Sequence, residues 1–319
     1  MSAKHLDWLQ SISADGLKVA MPELLHYRSK TGLLDLSPKH GLQARLAGQY
    51  VSAHKGRGME FDEVRHYQPG DDIRMIDWRV TARTNVTHTK LFREERERPV
   101  FIVTDLSESM QFGSQLMFKS VQASHLASLM AWSVNRMGDR LGGIVFNEQQ
   151  HTEQKPKART PAVLHYLHHL QQMTKQISEQ TDDQTANTNA KSDNHFTQTC
   201  MRLRRLARPG SLVIIISDFH NLNEVAAKHL TLLSQHCELM AYRIFDPMEQ
   251  ALPKFAGRMN LPVEYNGEQG VVTLGDKKIA QSYQTEYQQM IEQQDTWLRR
   301  CRCTAINISA GEPLEVQLR

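Results

Sequence analysis

The pattern of apolar and polar positions changes character at Pro99. Val100-Phe101-Ile102-Val103-Thr104 is an unbroken β-branched and aromatic run, the mark of a strand buried on both faces. Phe118, Val121, Leu126, Leu129, Met130, Val134 and Met137 then recur near helical spacing and predict a long amphipathic helix. Each such side chain, fully buried, contributes roughly 1.5–3 kcal/mol of transfer free energy. Leu141 to Phe146 predicts a second strand carrying Gly142-Gly143. Pro161 to Met173 predicts a helix, with Thr160 placed to cap it. Leu212-Val213-Ile214-Ile215-Ile216 is the strongest strand signal in the chain, preceded by a helix over 196–207. A helix over 223–235, a strand from Leu239 to Phe245, a hairpin turn at Tyr265-Asn266-Gly267-Glu268, a helix over 279–301 and a strand at Thr304 to Ile308 complete the series. Strands alternating with helices predict an α/β fold: a three-layer, doubly wound, mainly parallel sheet with helices on both faces.

Two stretches fall outside this rhythm. Residues 175–195 are almost wholly polar and cannot bury apolar surface, so they are expected to form a loop. Residues 1–98 read as an N-terminal extension to a domain over 99–319. Its first fifty residues mix short helical patterns with turns such as Ser37-Pro38-Lys39-His40-Gly41, and nothing chemical stands out there. From Gly56 to Arg98 the charge density rises: nine acids stand beside nine Lys or Arg, with a turn at Pro69-Gly70. Such a block serves either as a docking face or, on the plainer reading favoured here, as an ion-pair lattice holding the extension to the domain. Trp78 within it is expected to be a core anchor.

Composition narrows the function classes. Forty per cent hydrophobic residues can fill a core, which argues against global disorder. A net charge of +3 is small for 319 residues and does not ask for nucleic acid. Cys200, Cys237, Cys301 and Cys303 include no C-x-x-C pair, so free thiols in a reducing compartment are expected. The N-terminus has no apolar signal region, and no apolar run approaches the ~20 residues that span a bilayer. The chain is expected to be soluble and cytoplasmic.

The chemistry concentrates at Asp105-Leu106-Ser107-Glu108-Ser109, directly after the first buried strand. In a doubly wound sheet, ligands collect outside the carboxyl ends of the strands. An Asp and two Ser at alternate positions can turn three oxygens toward one point, a hard donor set suited to Mg²⁺ or Mn²⁺. Ser217-Asp218-Phe219 ends a second apolar strand and brings another carboxylate to the same edge. The plainer role for Asp105, Ser107 and Ser109 is to cap the helix that follows.

D-x-S-x-S after a buried strand, with a later S-D, resembles the metal-ion-dependent adhesion site of von Willebrand factor A domains. Upstream, Gly56-Arg57-Gly58-Met59-Glu60-Phe61-Asp62-Glu63-Val64-Arg65 leads into Tyr67-Gln68-Pro69-Gly70-Asp71-Asp72-Ile73-Arg74. Ile76-Asp77-Trp78-Arg79, Ala82-Arg83 and Glu94-Glu95-Arg96-Glu97-Arg98 follow. This string resembles the signature of the bacterial domain-of-unknown-function family 58, over roughly residues 40–245. The resemblance implies a von Willebrand factor A-like domain that binds a protein partner through a divalent metal, the partner supplying a carboxylate. It also implies association with a MoxR-type AAA+ ATPase in complex assembly or maturation. By position it implies Asp105, Ser107, Ser109 and Asp218 as metal ligands. The family pattern wants a further Thr near Asn194, whose amide is not the expected hydroxyl; Ser192 and Thr197 lie close by.

Two other classes compete with this binding module. A Mg²⁺-dependent phosphatase of the haloacid dehalogenase type would use Asp105 as nucleophile. It would need a second acid two residues on as proton donor, and that position is Ser107. RNA binding is suggested by Arg202, Arg204, Arg205 and Arg208, with Arg299, Arg300 and Arg302 near the end. No aromatic residues interleave with them as a base-stacking platform requires.

Overall fold

The unbroken apolar runs form the middle of a six-stranded sheet. The structure is a computed structural model, and it describes residues 3–36, 59–94, 97–182, 195–253, 257–265 and 268–318. The chain divides into two compact units: residues 1–38 with 99–319, and residues 39–98. The segment expected as one extension is thus shared between the units.

In the larger unit the helices are α1 (Ala3–Ser11) and α2 (Met21–His26), then α4 (Lys119–Arg136) and α5 (Thr160–Asp182). They continue as α6 (His195–Leu206), α7 (Glu224–Leu233), α8 (Pro247–Gln250), α9 (Lys277–Arg300) and α10 (Leu314–Gln317). The strands are β3 (Pro99–Asp105), β4 (Arg140–Phe146), β5 (His151–Lys157), β6 (Leu212–Ser217), β7 (Glu238–Phe245) and β10 (Ala305–Ser309). They lie in the order β10-β7-β6-β3-β4-β5, all parallel except β5, which runs antiparallel to β4. A separate antiparallel hairpin pairs β8 (Met259–Tyr265) with β9 (Glu268–Leu274), where the turn was expected; residues 266–267 lie outside the described residues.

Because side chains alternate across a strand, each buried strand feeds two cores. Val100 and Ile102 of β3, with Ile214 and Ile216 of β6, pack against α4, α5 and the first 36 residues. Phe101 and Val103, with Val213 and Ile215, pack on the other face against α6, α7 and Leu298 of α9. Helices therefore flank both faces of the sheet. Gly142-Gly143 lets one of them come close: a Cβ at Gly143 would lie 2.5 Å from the Tyr166 ring of α5 and 2.8 Å from the Ile102 carbonyl oxygen.

Residues 3–36 fold onto α4. His125 Nε2 lies 3.1 Å from Glu23 Oε2 and its Nδ1 3.2 Å from the Tyr27 hydroxyl, while the backbone N–H of Ala20 donates to Glu23 Oε1. Ser128 Oγ donates to the Leu24 carbonyl at 2.6 Å. Glu23, Tyr27 and His125 are completely buried.

Two expectations need correction here. The helix expected to end at Met173 runs to Asp182, so the polar segment starts as helix. Lys175 and Gln176 are straight-chain residues that lose little freedom in a helix, and Met173 and Thr174 still pack beneath it. Residues 183–194 lie outside the described residues.

In the smaller unit, β1 (Met59–His66) pairs antiparallel with β2 (His88–Glu94), with a register shift between Phe61 and Glu63. Helix α3 (Trp78–Thr84) starts on Asp77, whose carboxylate accepts from the backbone N–H groups of Arg79 and Val80. Arg65 pairs with Asp71 at 2.7 Å and Lys90 with Asp77 at 3.6 Å, so charges in this block tie its own turns together. The Arg65 hydrogen bond, with the Gln68 backbone N–H, holds Asp71 below the usual carboxylate range. Trp78 is no core anchor: it is 67% exposed, standing at the first turn of a short helix.

Candidate functional site

Strands β3 and β6 are neighbours in register, Thr104 beside Ile216, so their ends bring Asp105 next to Ser217 and Asp218. Asp105 is buried. Its Oδ1 accepts from the backbone N–H of Ser107 at 2.9 Å, and its Oδ2 accepts from Ser217 Oγ at 2.6 Å. Ser107 sits in extended backbone ahead of a 3-10 turn, Glu108–Met110, which folds Ser109 back to the same point. Ser107 Oγ and Ser109 Oγ lie 3.3 Å apart, and Ser109 is near enough to Asp218 to help lower its pKa. Asp105, Ser107, Ser109 and Asp218 thus form one ring of oxygens at the carboxyl edge of the sheet. Capping alone does not account for it, since α4 begins only at Lys119.

The backbone beyond β6 is fixed in an uncommon state. Phe219 has φ 58°, a left-handed conformation that costs a non-glycine residue roughly 1–2 kcal/mol. It is held by its N–H donating to Ser217 Oγ at 2.9 Å and by Gln294 Nε2 donating to its carbonyl at 3.0 Å. That bend aims the Asp218 side chain into the ring.

A cation closes the group from within the fold. Lys119, the first residue of α4, places its Nζ 2.9 Å from Asp218 Oδ2 and 2.5 Å from Glu249 Oε1. Its side chain is 2% exposed. Burial works against the charged ammonium, but Asp218 and Glu249 outweigh it and hold the Lys119 pKa above its ordinary value. Burial likewise works to raise Asp218, and Lys119 overrides it, so Asp218 lies below the usual range. Asp105 has no such partner: burial pushes its carboxyl up to about 7, Asp218 adds to the push, and the bonds from Ser217 and Ser107 oppose it. Burial also raises Glu249, and it raises Glu148, whose Oε1 accepts from the backbone N–H of Glu108 at 2.6 Å.

Asp105, Ser107, Ser109 and Asp218 therefore come together as the spacing implied. Asn194 and Ser192 lie outside the described residues. Thr197 stands in α6, with its hydroxyl donating to Asn223 Oδ1 at 3.2 Å, at the N-terminus of α7. Among the described residues no group of three or more His, Cys, Asp and Glu could hold a metal ion. The ring offers two carboxylates and two hydroxyls. Sequence reasoning missed Lys119, Glu249 and the Ser217 hydroxyl. Glu249 had a signal: Asp246-Pro247-Met248-Glu249 after a strand spells a helix-start capping box, and that box forms.

The family model described as "Protein of unknown function DUF58" matches residues 63–293. The chain belongs to the DUF58 family. It is 31% identical over 227 residues to the uncharacterized protein Rv1480 of Mycobacterium tuberculosis, and equally to the uncharacterized protein Mb1516 of Mycobacterium bovis. Each match covers 69% of this chain but only 65% of the relative's length. Among solved structures, the conserved hypothetical protein BatB of Bacteroides thetaiotaomicron aligns at TM-score 0.41 and 13% identity, over 69% of this chain and 93% of that one. An aerotolerance-related membrane protein of Bacteroides fragilis aligns at 0.37 and 15%, over 64% and 98%. Neither is near enough to transfer a fold name or an activity to this DUF58 chain. No helix among its described residues is long and apolar enough to cross a membrane.

Proposed function

We propose that residues 99–319 form a von Willebrand factor A-like domain that binds a protein partner, with the ring at the β3 and β6 ends as a metal-ion-dependent adhesion site. The observation that carries this reading is the convergence of Asp105, Ser107, Ser109 and Asp218 on one point. Their oxygens suit Mg²⁺ or Mn²⁺. The charge balance suits a cation as well, because Lys119, the ammonium beside the ring among the described residues, is shared between Asp218 and Glu249 and leaves Asp105 uncompensated. When bound, such an ion would supply a positive centre for a carboxylate of the partner.

The chain's own residues set the terms of that contact. Ser217 and the Ser107 N–H hold the Asp105 carboxylate in one orientation, and Phe219 fixes Asp218. Burial of the ring keeps water from weakening its electrostatics. The partner we favour is a MoxR-type AAA+ ATPase, as the family resemblance implies, with complex assembly or maturation as the setting. The phosphatase alternative has less support, since the position two residues after Asp105, where a proton donor is needed, is Ser107.

The test is thermal unfolding of wild type and Asp105→Ala, in chelator and in Mg²⁺ or Mn²⁺. At about a hundred times the dissociation constant, linkage gives roughly 2.7 kcal/mol of stabilisation. For a chain of this size that raises Tm by roughly 5 °C. A rise in wild type that Asp105→Ala abolishes supports the site; no rise in either protein removes the metal from the mechanism.

A further inference from the structure

Beside the ring, between the end of β7 and helix α9, lies a cavity of about 260 Å³. Asp218 belongs to both, so whatever engages the ring lies next to the cavity mouth. The volume is below the ~300–1,000 Å³ usual for small-molecule sites and suits a single long side chain.

Its charges do not balance. Three carboxylates line it, Asp218, Glu249 and Glu286, against one cation, Arg243. Behind the walls, Lys119 is shared by Asp218 and Glu249, while Arg243 is held by Asp295 at 2.5 Å. Four carboxylates thus face two cations, an excess of two negative charges. The phenols of Tyr283 and Tyr287, also in the wall, register the same field: burial raises both pKa values, and Glu249 raises them further. Met290 and Ile291 supply an apolar wall on α9. Aromatic faces and an apolar wall beside carboxylates match an alkyl stem that ends in a cation.

Arg243 does little to offset that excess: it is 3% exposed, and its two terminal nitrogens are already bonded to Asn307 and Asp295.

We propose that this cavity receives a lysine side chain from a protein partner, its ammonium among Asp218, Glu249 and Glu286. The pocket would then select partners that carry a base as well as an acid in the docking segment. It deepens the binding-module reading but does not require an ion in the ring, so it is tested with chelator present.

The full chain, labelled at Met and Ile methyl groups, would be titrated with N-acetyl-lysine methylamide, its uncharged 2-aminoheptanoic acid analogue of the same chain length, and pentylamine. Saturable shifts of the Met290 and Ile291 methyls are expected with the lysine amide, and at least fivefold weaker binding with the other two. Glu286→Gln, an exposed change outside the ring, should weaken the lysine amide about fivefold. Silence of both methyls at about 50 mM lysine amide, or equal binding of the uncharged analogue, would overturn the basic pocket. Equal binding of pentylamine would overturn the peptide assignment. A metal-free ring with a working pocket, or the reverse, separates this result from that of the adhesion site.

Discussion

Two buried ionic clusters grip α4, one at its first residue and one in its second turn. Glu23, His125 and Tyr27 are completely buried, and each side-chain oxygen and nitrogen named in that cluster meets a partner, in the N-terminal segment or across its contact with α4. The Lys119 cluster is equally deep at its ammonium, but its acids outnumber its bases, Asp105 stays uncompensated near neutral pH, and a cavity opens beside it. The first cluster is closed and behaves as a fastening. The second is held under electrostatic tension by the fold and has room for something else. A buried network with all its valences filled argues for structure, and one with charge left over argues for a binding site.

The sharpest way to break this contrast is Lys119→Met. It leaves Asp218 and Glu249 without their cation, and breaking a buried pair from one side costs about 3–5 kcal/mol. Urea unfolding should show that loss; a change within experimental scatter would mean that the ammonium is not part of the scaffold. His125→Leu should cost less, about 1–3 kcal/mol, through the unpaired Glu23 carboxylate. Adding Glu23→Leu to it should recover part of that loss, as expected for a pure fastening; a double variant that is the worse by the full second amount would contradict the comparison.

The smallest effect has the opposite sign. The folded pKa of Asp105 is raised above its unfolded value, so between roughly pH 4 and 7 the native chain binds the extra proton. In chelator this group therefore lowers stability as pH rises across that window, and the full cost persists above it. Asp105→Asn removes the titration. At pH 8 it should be more stable than wild type because no buried charge remains, but by only about 1 kcal/mol, since the amide keeps one acceptor for the two donors that Asp105 holds. A variant that is less stable than wild type at pH 8 in chelator would show that Asp105 is compensated by a group outside the ring.

How much of this was legible depended on how far apart the interacting residues lie in the chain. β3 and β6 are readable because both faces are buried and every residue reports it. β5, with sequence His151-Thr152-Glu153-Gln154-Lys155-Pro156-Lys157, gave no signal, since only Gln154 is buried there. The ring of oxygens is legible because its four side chains belong to two short strand-end motifs. Lys119 was not, because a lysine reads as a surface residue until Asp218 and Glu249, 99 and 130 residues away, are brought to it. The Glu23–His125 pair, 102 residues apart, was hidden for the same reason.

That unannounced strand β5 has a consequence for how the chain avoids its own copies. Among the described residues the six-stranded sheet stops at β5, an edge that would otherwise invite another strand to add on. Pro156 contributes no N–H to such a contact, and Lys155 and Lys157 flank it as exposed ammonium groups. The fit is close on the inner side, where a Cβ at Gly142 would sit 3.0 Å from the Pro156 ring. A mostly parallel sheet assembles slowly, through contacts distant in sequence, and leaves sticky edges open while it does so. Lys-Pro-Lys on this edge is the composition of a gatekeeper, the kind of segment that keeps neighbouring apolar strands from aggregating before helices cover them.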